Sequence, residues 1–85
     1  MGEYRILFRE SVYKDLRSIP IGDVTRILDR ISSLARDPRP AGCEKLTGQE
    51  RYRVRQGNYR IIYSIHDDRG EVRVVRVGHR KDVYR

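Results

Sequence analysis

The sequence predicts a small single-domain α+β fold spanning residues 1–85. A strand, two helices and a three-strand meander give a mainly antiparallel sheet with the helices on one face. Three observations carry this. Apolar residues recur at helical spacing between positions 11 and 35. Apolar residues alternate with arginine near the start of the chain and again past position 51. Two turn signals, Gly57-Asn58 and Asp67-Asp68-Arg69-Gly70, cut the second alternating region into three strands.

Tyr4 to Arg9 reads as the first strand, with Tyr4, Ile6 and Phe8 facing away from Arg5, Leu7 and Arg9. Ser11 is the expected N-cap of a short helix whose inner face is Val12, Leu16 and Ile19. Pro20 suits the first turn of a second helix, where a missing N–H removes no bond. Val24, Ile27, Leu28, Ile31, Leu34 and Ala35 then repeat at helical spacing and read as core packing. Asp37-Pro38-Arg39-Pro40-Ala41-Gly42 stops that helix, because the residue before a proline avoids the helical region.

A short extended piece, Glu44 to Leu46, leads through Thr47-Gly48 to the meander strands Arg51 to Gln56, Tyr59 to His66 and Glu71 to Val77. A tight turn at Gly57-Asn58 sets the first register. Gln56 faces Tyr59, Arg55 faces Arg60 and Val54 faces Ile61. Tyr52, Val54, Ile61, Tyr63 and Ile65 then lie under the helices, while Arg53, Arg55 and Arg60 share the other face. Like charges directly opposite destabilise a hairpin, so Arg55 against Arg60 makes sense where an anion sits between them. The third strand fits less cleanly. Parity sends Val75 and Val77 to the arginine side and Arg76 to the apolar side, a conflict that a bulge or the strand's end would relieve.

The charge is uneven. Residues 1–50 hold nine Lys/Arg and eight Asp/Glu, whereas residues 51–85 hold ten and four, so +6 of the net +7 lies in the meander and tail. Arginine is a planar, bidentate phosphate ligand, and a pI near 10.1 favours an anionic partner. The apolar residues are clustered and periodic, which excludes disorder. Cys43 is the single cysteine; it excludes an internal disulfide and fits a reducing compartment. The N-terminus has no apolar signal core and no stretch is long enough to cross a bilayer, so a cytoplasmic protein without a membrane partner is expected. No paired carboxylates, Walker loop, dinucleotide fingerprint or metal-ligand spacing is present, and neither metal nor other cofactor is called for.

Candidate site residues follow from the faces. Arg53, Arg55 and Arg60 form a convergent cluster. Arg80 and Tyr84 lie past the last strand, on a tail that can reach back over it. A neighbourhood of arginines would keep His79 neutral and able to accept a proton. His66 belongs to a turn, Cys43 reads as a small half-buried residue, and Tyr13 and Lys14 read as helix surface.

The element order, with Lys45-Leu46-Thr47-Gly48, Tyr52-Arg53-Val54-Arg55, Gly57-Asn58-Tyr59-Arg60-Ile61-Ile62-Tyr63 and Val77-Gly78-His79-Arg80-Lys81-Asp82-Val83-Tyr84, resembles the RelE/ParE toxin superfamily of bacterial and archaeal toxin–antitoxin systems. The resemblance covers the whole chain. The ending looks like the RelE branch, whose members cleave mRNA in the ribosomal A site. It implies a RelE-like fold and a metal-independent endoribonuclease. In that reaction a ribose 2′-OH attacks the adjacent phosphate, leaving a 2′,3′-cyclic phosphate and a free 5′-OH.

Carried over, the resemblance implies that Arg55, Arg60 and Arg80 stabilise the phosphate. Arg53 and Lys81 would hold flanking RNA, and Tyr84 would stack on a base or orient the 2′-OH. Where this chain has Arg53 and Arg55, the RelE-type pattern has lysines. Arginine cannot give up its proton, so His79 becomes the candidate proton carrier, with Tyr84 next. The resemblance also implies a cognate antitoxin, a toxin–antitoxin hetero-oligomer, and contact with DNA through the antitoxin alone. Two other readings stay open. One is a ParE-like gyrase inhibitor, which needs neither Arg80 nor Tyr84. The other is a non-catalytic RNA-binding or antitoxin-binding domain.

Overall fold

The computed structural model describes residues 3–48 and 50–81. In chain order these form β1 (Arg5–Phe8), α1 (Glu10–Arg17), α2 (Ile21–Ser33), β2 (Glu44–Lys45), β3 (Tyr52–Gln56), β4 (Tyr59–His66) and β5 (Glu71–His79). One five-stranded sheet runs β1-β5-β4-β3-β2. Only β1 is parallel to its neighbour, β5; the other pairs are antiparallel. The α+β architecture is the expected one, with local differences.

α1 starts at Glu10 and its N-cap is Arg9, with no side chain capping it. Ser11 therefore sits inside the first turn. Pro20 is the N-cap of α2 rather than a first-turn residue, and its carbonyl accepts from the N–H groups of Asp23 and Val24 at 2.9 and 3.0 Å. Leu28 stays partly exposed, because the stripe that meets the sheet is centred on Ile27, Ile31 and Leu34.

The core lies between the helices and one sheet face. Val12, Ile27, Ile31 and Leu34 pack against Val54, Ile61, Tyr63, Val72, Val74 and Val77. Tyr63 is the largest wholly buried side chain, and its hydroxyl donates to the Pro38 carbonyl at 2.7 Å. The same loop is clamped by Arg39, which lies 5.3 Å from the Tyr52 ring centre and pairs with Asp67 at 3.0 Å. Tyr4 donates to the other Asp67 oxygen at 2.6 Å.

The hairpin register is the expected one: Gln56 opposite Tyr59, Arg55 opposite Arg60 and Val54 opposite Ile61. Gly57 has φ +61° while Asn58 does not enter the left-handed region, so the glycine alone supplies the unusual angle. The conflict in β5 is resolved by a bulge. Ile62 pairs with Arg76 and Tyr63 pairs with Val74, leaving Val75 as the extra residue. Beyond it the parity flips. Val77 enters the core, Arg76 turns outward, and Val75 joins Ile62 and Leu46 in a small apolar cluster on the outer face. β5 continues to His79, two residues past the expected end. No helix among the described residues is long and apolar enough to cross a membrane.

Candidate phosphate-binding face

The outer sheet face is where the strand pattern places charge. Alternation puts Arg53 and Arg55 of β3 and Arg60 of β4 on it, the face that also carries the Ile62, Val75 and Leu46 cluster. Arg55 and Arg60 are a directly opposed pair. The pair that closes a two-residue turn exchanges both backbone hydrogen bonds, so this next pair is the non-bonded kind, whose side chains approach most closely. Arg60 is only 8% exposed, whereas Arg55 is open to solvent. Across from Arg60 on β5 stands Gly78, which has no side chain to compete for the space above the guanidinium.

One residue of this face carries no signal in the strand pattern. Glu44, on the two-residue strand β2, pairs with Arg53 across the ladder and forms a charge-assisted hydrogen bond with its guanidinium. A second nitrogen of Arg53 donates to the same carboxylate oxygen at 3.1 Å. The Arg53 hydrogen bonds and charge hold the Glu44 carboxyl below the usual range, and Arg55 and Arg60 add to the effect. Glu44 is thus an ionised carboxylate standing in an arginine cluster. A depression of about 390 Å³ beside it is lined by Arg30, Gly42, Cys43, Glu44 and Arg55. A heightened prior for an acidic residue on the strand preceding an arginine hairpin would have found it; periodicity could not.

The remaining candidates divide. The Arg80 N–H donates to the Asn58 carbonyl at 2.9 Å, which anchors Arg80 beside the β3–β4 turn, at the end of the sheet that holds Arg55 and Arg60. Lys81 is exposed, and its N–H reaches His79 Nδ1 at 3.3 Å. His79 does not join the cluster. After the bulge it shares the helix-side face with Val77, and its ring meets Tyr59 edge-on at 5.9 Å. It borders a cleft of about 340 Å³ whose lining includes Asp15, Ile19, Tyr59 and Arg76, so one arginine stands beside it rather than a cluster. Tyr84 lies outside the described residues. Among the described residues no group of His, Cys, Asp and Glu could hold a metal ion.

Such a face can take up a phosphodiester through several guanidiniums and offers one ionised carboxylate next to it. An arginine-bearing sheet backed by two helices defines a class of small basic α+β domain with RelE-like architecture. The chain belongs to the RelE/ParE toxin superfamily: residues 6–84 match the family described as the ParE toxin of type II toxin–antitoxin systems. It is 30% identical to the toxin RelG of Mycobacterium tuberculosis, across 96% of this chain and 97% of the relative. Among solved structures it is similar to the RelBE2 toxin–antitoxin complex of M. tuberculosis, with TM-score 0.83, 27% identity, and 96% and 97% of the two chains covered. It is also similar to the archaeal RelE–RelB complex of Pyrococcus horikoshii, with TM-score 0.83, 29% identity, and 94% and 98% covered. The isolated E. coli RelE toxin matches with TM-score 0.78 at 26% identity, over 95% and 90%.

Proposed function

We propose that this protein is the toxin of a toxin–antitoxin pair, and that it cleaves mRNA in the ribosomal A site. The observation that carries this reading is the Arg53, Arg55 and Arg60 cluster with Glu44 set into it. In the proposed reaction the ribose 2′-oxygen attacks the adjacent phosphorus and the 5′-oxygen of the next nucleotide leaves. The products are a 2′,3′-cyclic phosphate and a 5′-OH. Arg55, Arg60 and Arg80 stabilise the charge that gathers on the phosphate oxygens, commonly the largest contribution in such sites. Arg53 and Lys81 hold the flanking backbone.

Glu44 takes the proton of the 2′-OH. In the free protein the arginines keep it ionised. An incoming phosphate competes for the same guanidiniums and loosens their hold, which raises the proton affinity of the carboxylate when a base is needed. Tyr84 is assigned the proton for the leaving 5′-oxygen, a role that rests on the resemblance of the chain's ending. His79 is left out of the reacting set because it shares the helix-side face with Tyr59, whose ring it meets edge-on. The solved relatives described as antitoxin-bound complexes support a protein antitoxin as partner. An acidic segment of such an antitoxin would be suited to cover this face, and the pair would work where ribosomes are, in the cytoplasm.

The test uses ribosomes stalled on a defined mRNA with an empty A site, and maps cuts by primer extension. Wild type should cut only on the ribosome, and Arg80→Ala and Tyr84→Phe should each cut far less. Absence of cutting by folded protein, with inhibition of DNA gyrase instead, would transfer the chain to the gyrase-directed branch of the superfamily. Salt-sensitive RNA binding without either activity would leave a binding domain.

A further inference from the structure

The arginine face does not end at the proposed reaction site. β5 and β1 carry it across the sheet. Arg73, opposite Ser64, lies on the same face, as does Leu7, which pairs with Arg73 in β1. Arg9 follows β1 and its N–H donates to the Val74 carbonyl at 2.8 Å. Arg76, turned outward by the bulge, lies between Arg9 and the Arg60 side of the sheet. Arg9 and Arg73 are both exposed, and neither makes an ion pair among the described residues. The two line a groove of about 600 Å³ together with Leu7, Phe8, Glu10 and Tyr13. Tyr13 is 55% exposed, and its ring lies beside Phe8 at 6.1 Å between ring centres.

We propose that Arg9, Arg73 and Tyr13 form a second RNA-contact site, which takes the part of the single strand that extends beyond the proposed reaction site. Two arginines without an ion pair among the described residues, beside an exposed aromatic ring, are the elements by which proteins grip single strands: cations along the backbone and a ring for a base. Position supports the same occupant. Arg9 and Arg60 are two strand spacings apart across the sheet and about two residues apart along it, roughly 12 Å at ordinary strand geometry. One strand of RNA can therefore reach both, with Arg76 between. Among the described residues Glu10 is the only acidic side chain lining the groove. The inference rests on the RNA-directed reading of the arginine cluster, but not on cleavage.

The experiment measures fluorescence anisotropy of labelled single-stranded RNA with the full chain, using a trimer and a dodecamer. The variants are Arg9→Ala with Arg73→Ala, Tyr13→Ala, and Tyr13→Phe. For the dodecamer, the double arginine variant should weaken binding and make the logarithmic salt slope shallower by about 1.4, two phosphates at about 0.7 each. Tyr13→Ala should weaken it by about 5- to 100-fold, and Tyr13→Phe should restore most of the loss. Trimer binding should be unchanged in every variant, which also shows that the fold is intact.

Dodecamer binding that is unchanged in affinity and slope overturns the proposal, as does equal loss for both lengths. So does an acidic peptide whose binding, unlike RNA binding, depends on these residues; the groove then belongs to a protein partner. Ribosome cleavage is read separately. Loss of cleavage with intact two-site RNA binding sinks the nuclease reading alone, and intact cleavage with length-independent RNA binding sinks the second site alone.

Discussion

Glu44→Gln separates the two jobs that the arginine cluster is proposed to do. The amide keeps the shape of the side chain and loses its charge. Arg53 holds the Glu44 carboxylate directly, and Arg55 and Arg60 add their positive charge on the same face. The local balance of two positive charges becomes three in the variant. For a single strand each neutralised phosphate contributes about 0.7 to the logarithmic salt slope, so the variant should bind RNA more tightly and with a slope steeper by about 0.7. Cleavage should move the other way. Loss of a positioned proton acceptor lowers rates by about 10²- to 10⁴-fold. Anisotropy on a short RNA and primer extension on stalled ribosomes read the two quantities on the same preparation. A variant that cuts as fast as wild type removes Glu44 from proton transfer. A variant that loses both binding and cleavage makes Glu44 a residue that merely positions Arg53.

Further outcomes follow from other contacts. By NMR titration the Glu44 carboxyl should protonate below the ordinary glutamate value of about 4.3, and should move back towards it in Arg53→Ala. Because its folded-state value is lowered, its stabilising contribution is complete above the ordinary range and is lost as pH falls through the lowered value. An unshifted titration would mean that the Arg53 pair does not persist in solution. Tyr63→Phe removes the donor to the buried Pro38 carbonyl and should destabilise by about 1–3 kcal/mol. In a domain of this size each kcal/mol lowers Tm by about 4–8 °C, so an unchanged Tm would show that the carbonyl is satisfied otherwise. Arg55→Ala should weaken RNA binding while leaving stability equal or slightly raised, since it removes a like-charge pair; unfolding at a lower denaturant concentration would contradict this. His79→Ala should cut mRNA nearly as well as wild type, and a loss as deep as that of Arg80→Ala would return His79 to the reaction.

Much of the fold was legible because its signals are local and repeated. The apolar repeat from Val24 to Ile31 in α2 and the alternation of β3 and β4 each over-determine their element, and a glycine able to take φ +61° pins the hairpin register. Parity failed only at Val75. A bulge inserts one residue without leaving a mark in composition, and its trace was a contradiction: a valine pair and an arginine on the wrong faces. That single insertion decides the face of His79. Counted without it, His79 lies on the arginine side, and counted with it His79 meets Tyr59 under the helices. Ser11 misled for a different reason. It is a good capping residue, but Arg9 already leaves the β1 ladder with its N–H on Val74, so α1 starts two residues before serine could cap it.

Glu44 marks the limit of strand patterns as a guide to chemistry. An alternating strand announces its arginines because each is one of a series. A carboxylate on a two-residue strand belongs to no series, and its meaning comes only from the ladder that sets it against Arg53. The two kinds of residue also stand differently toward stability. Opposed arginines strain the hairpin, and the strain is tolerable because the other face of the same strands buries Val54, Ile61 and Tyr63 completely. Glu44 relieves part of that repulsion while the face is empty, and a phosphate would relieve it when the face is full. In either state an anion among the arginines lowers that repulsion. The proposed chemistry uses the exchange of one anion for the other, which sets the carboxylate free at the moment the substrate's phosphate arrives.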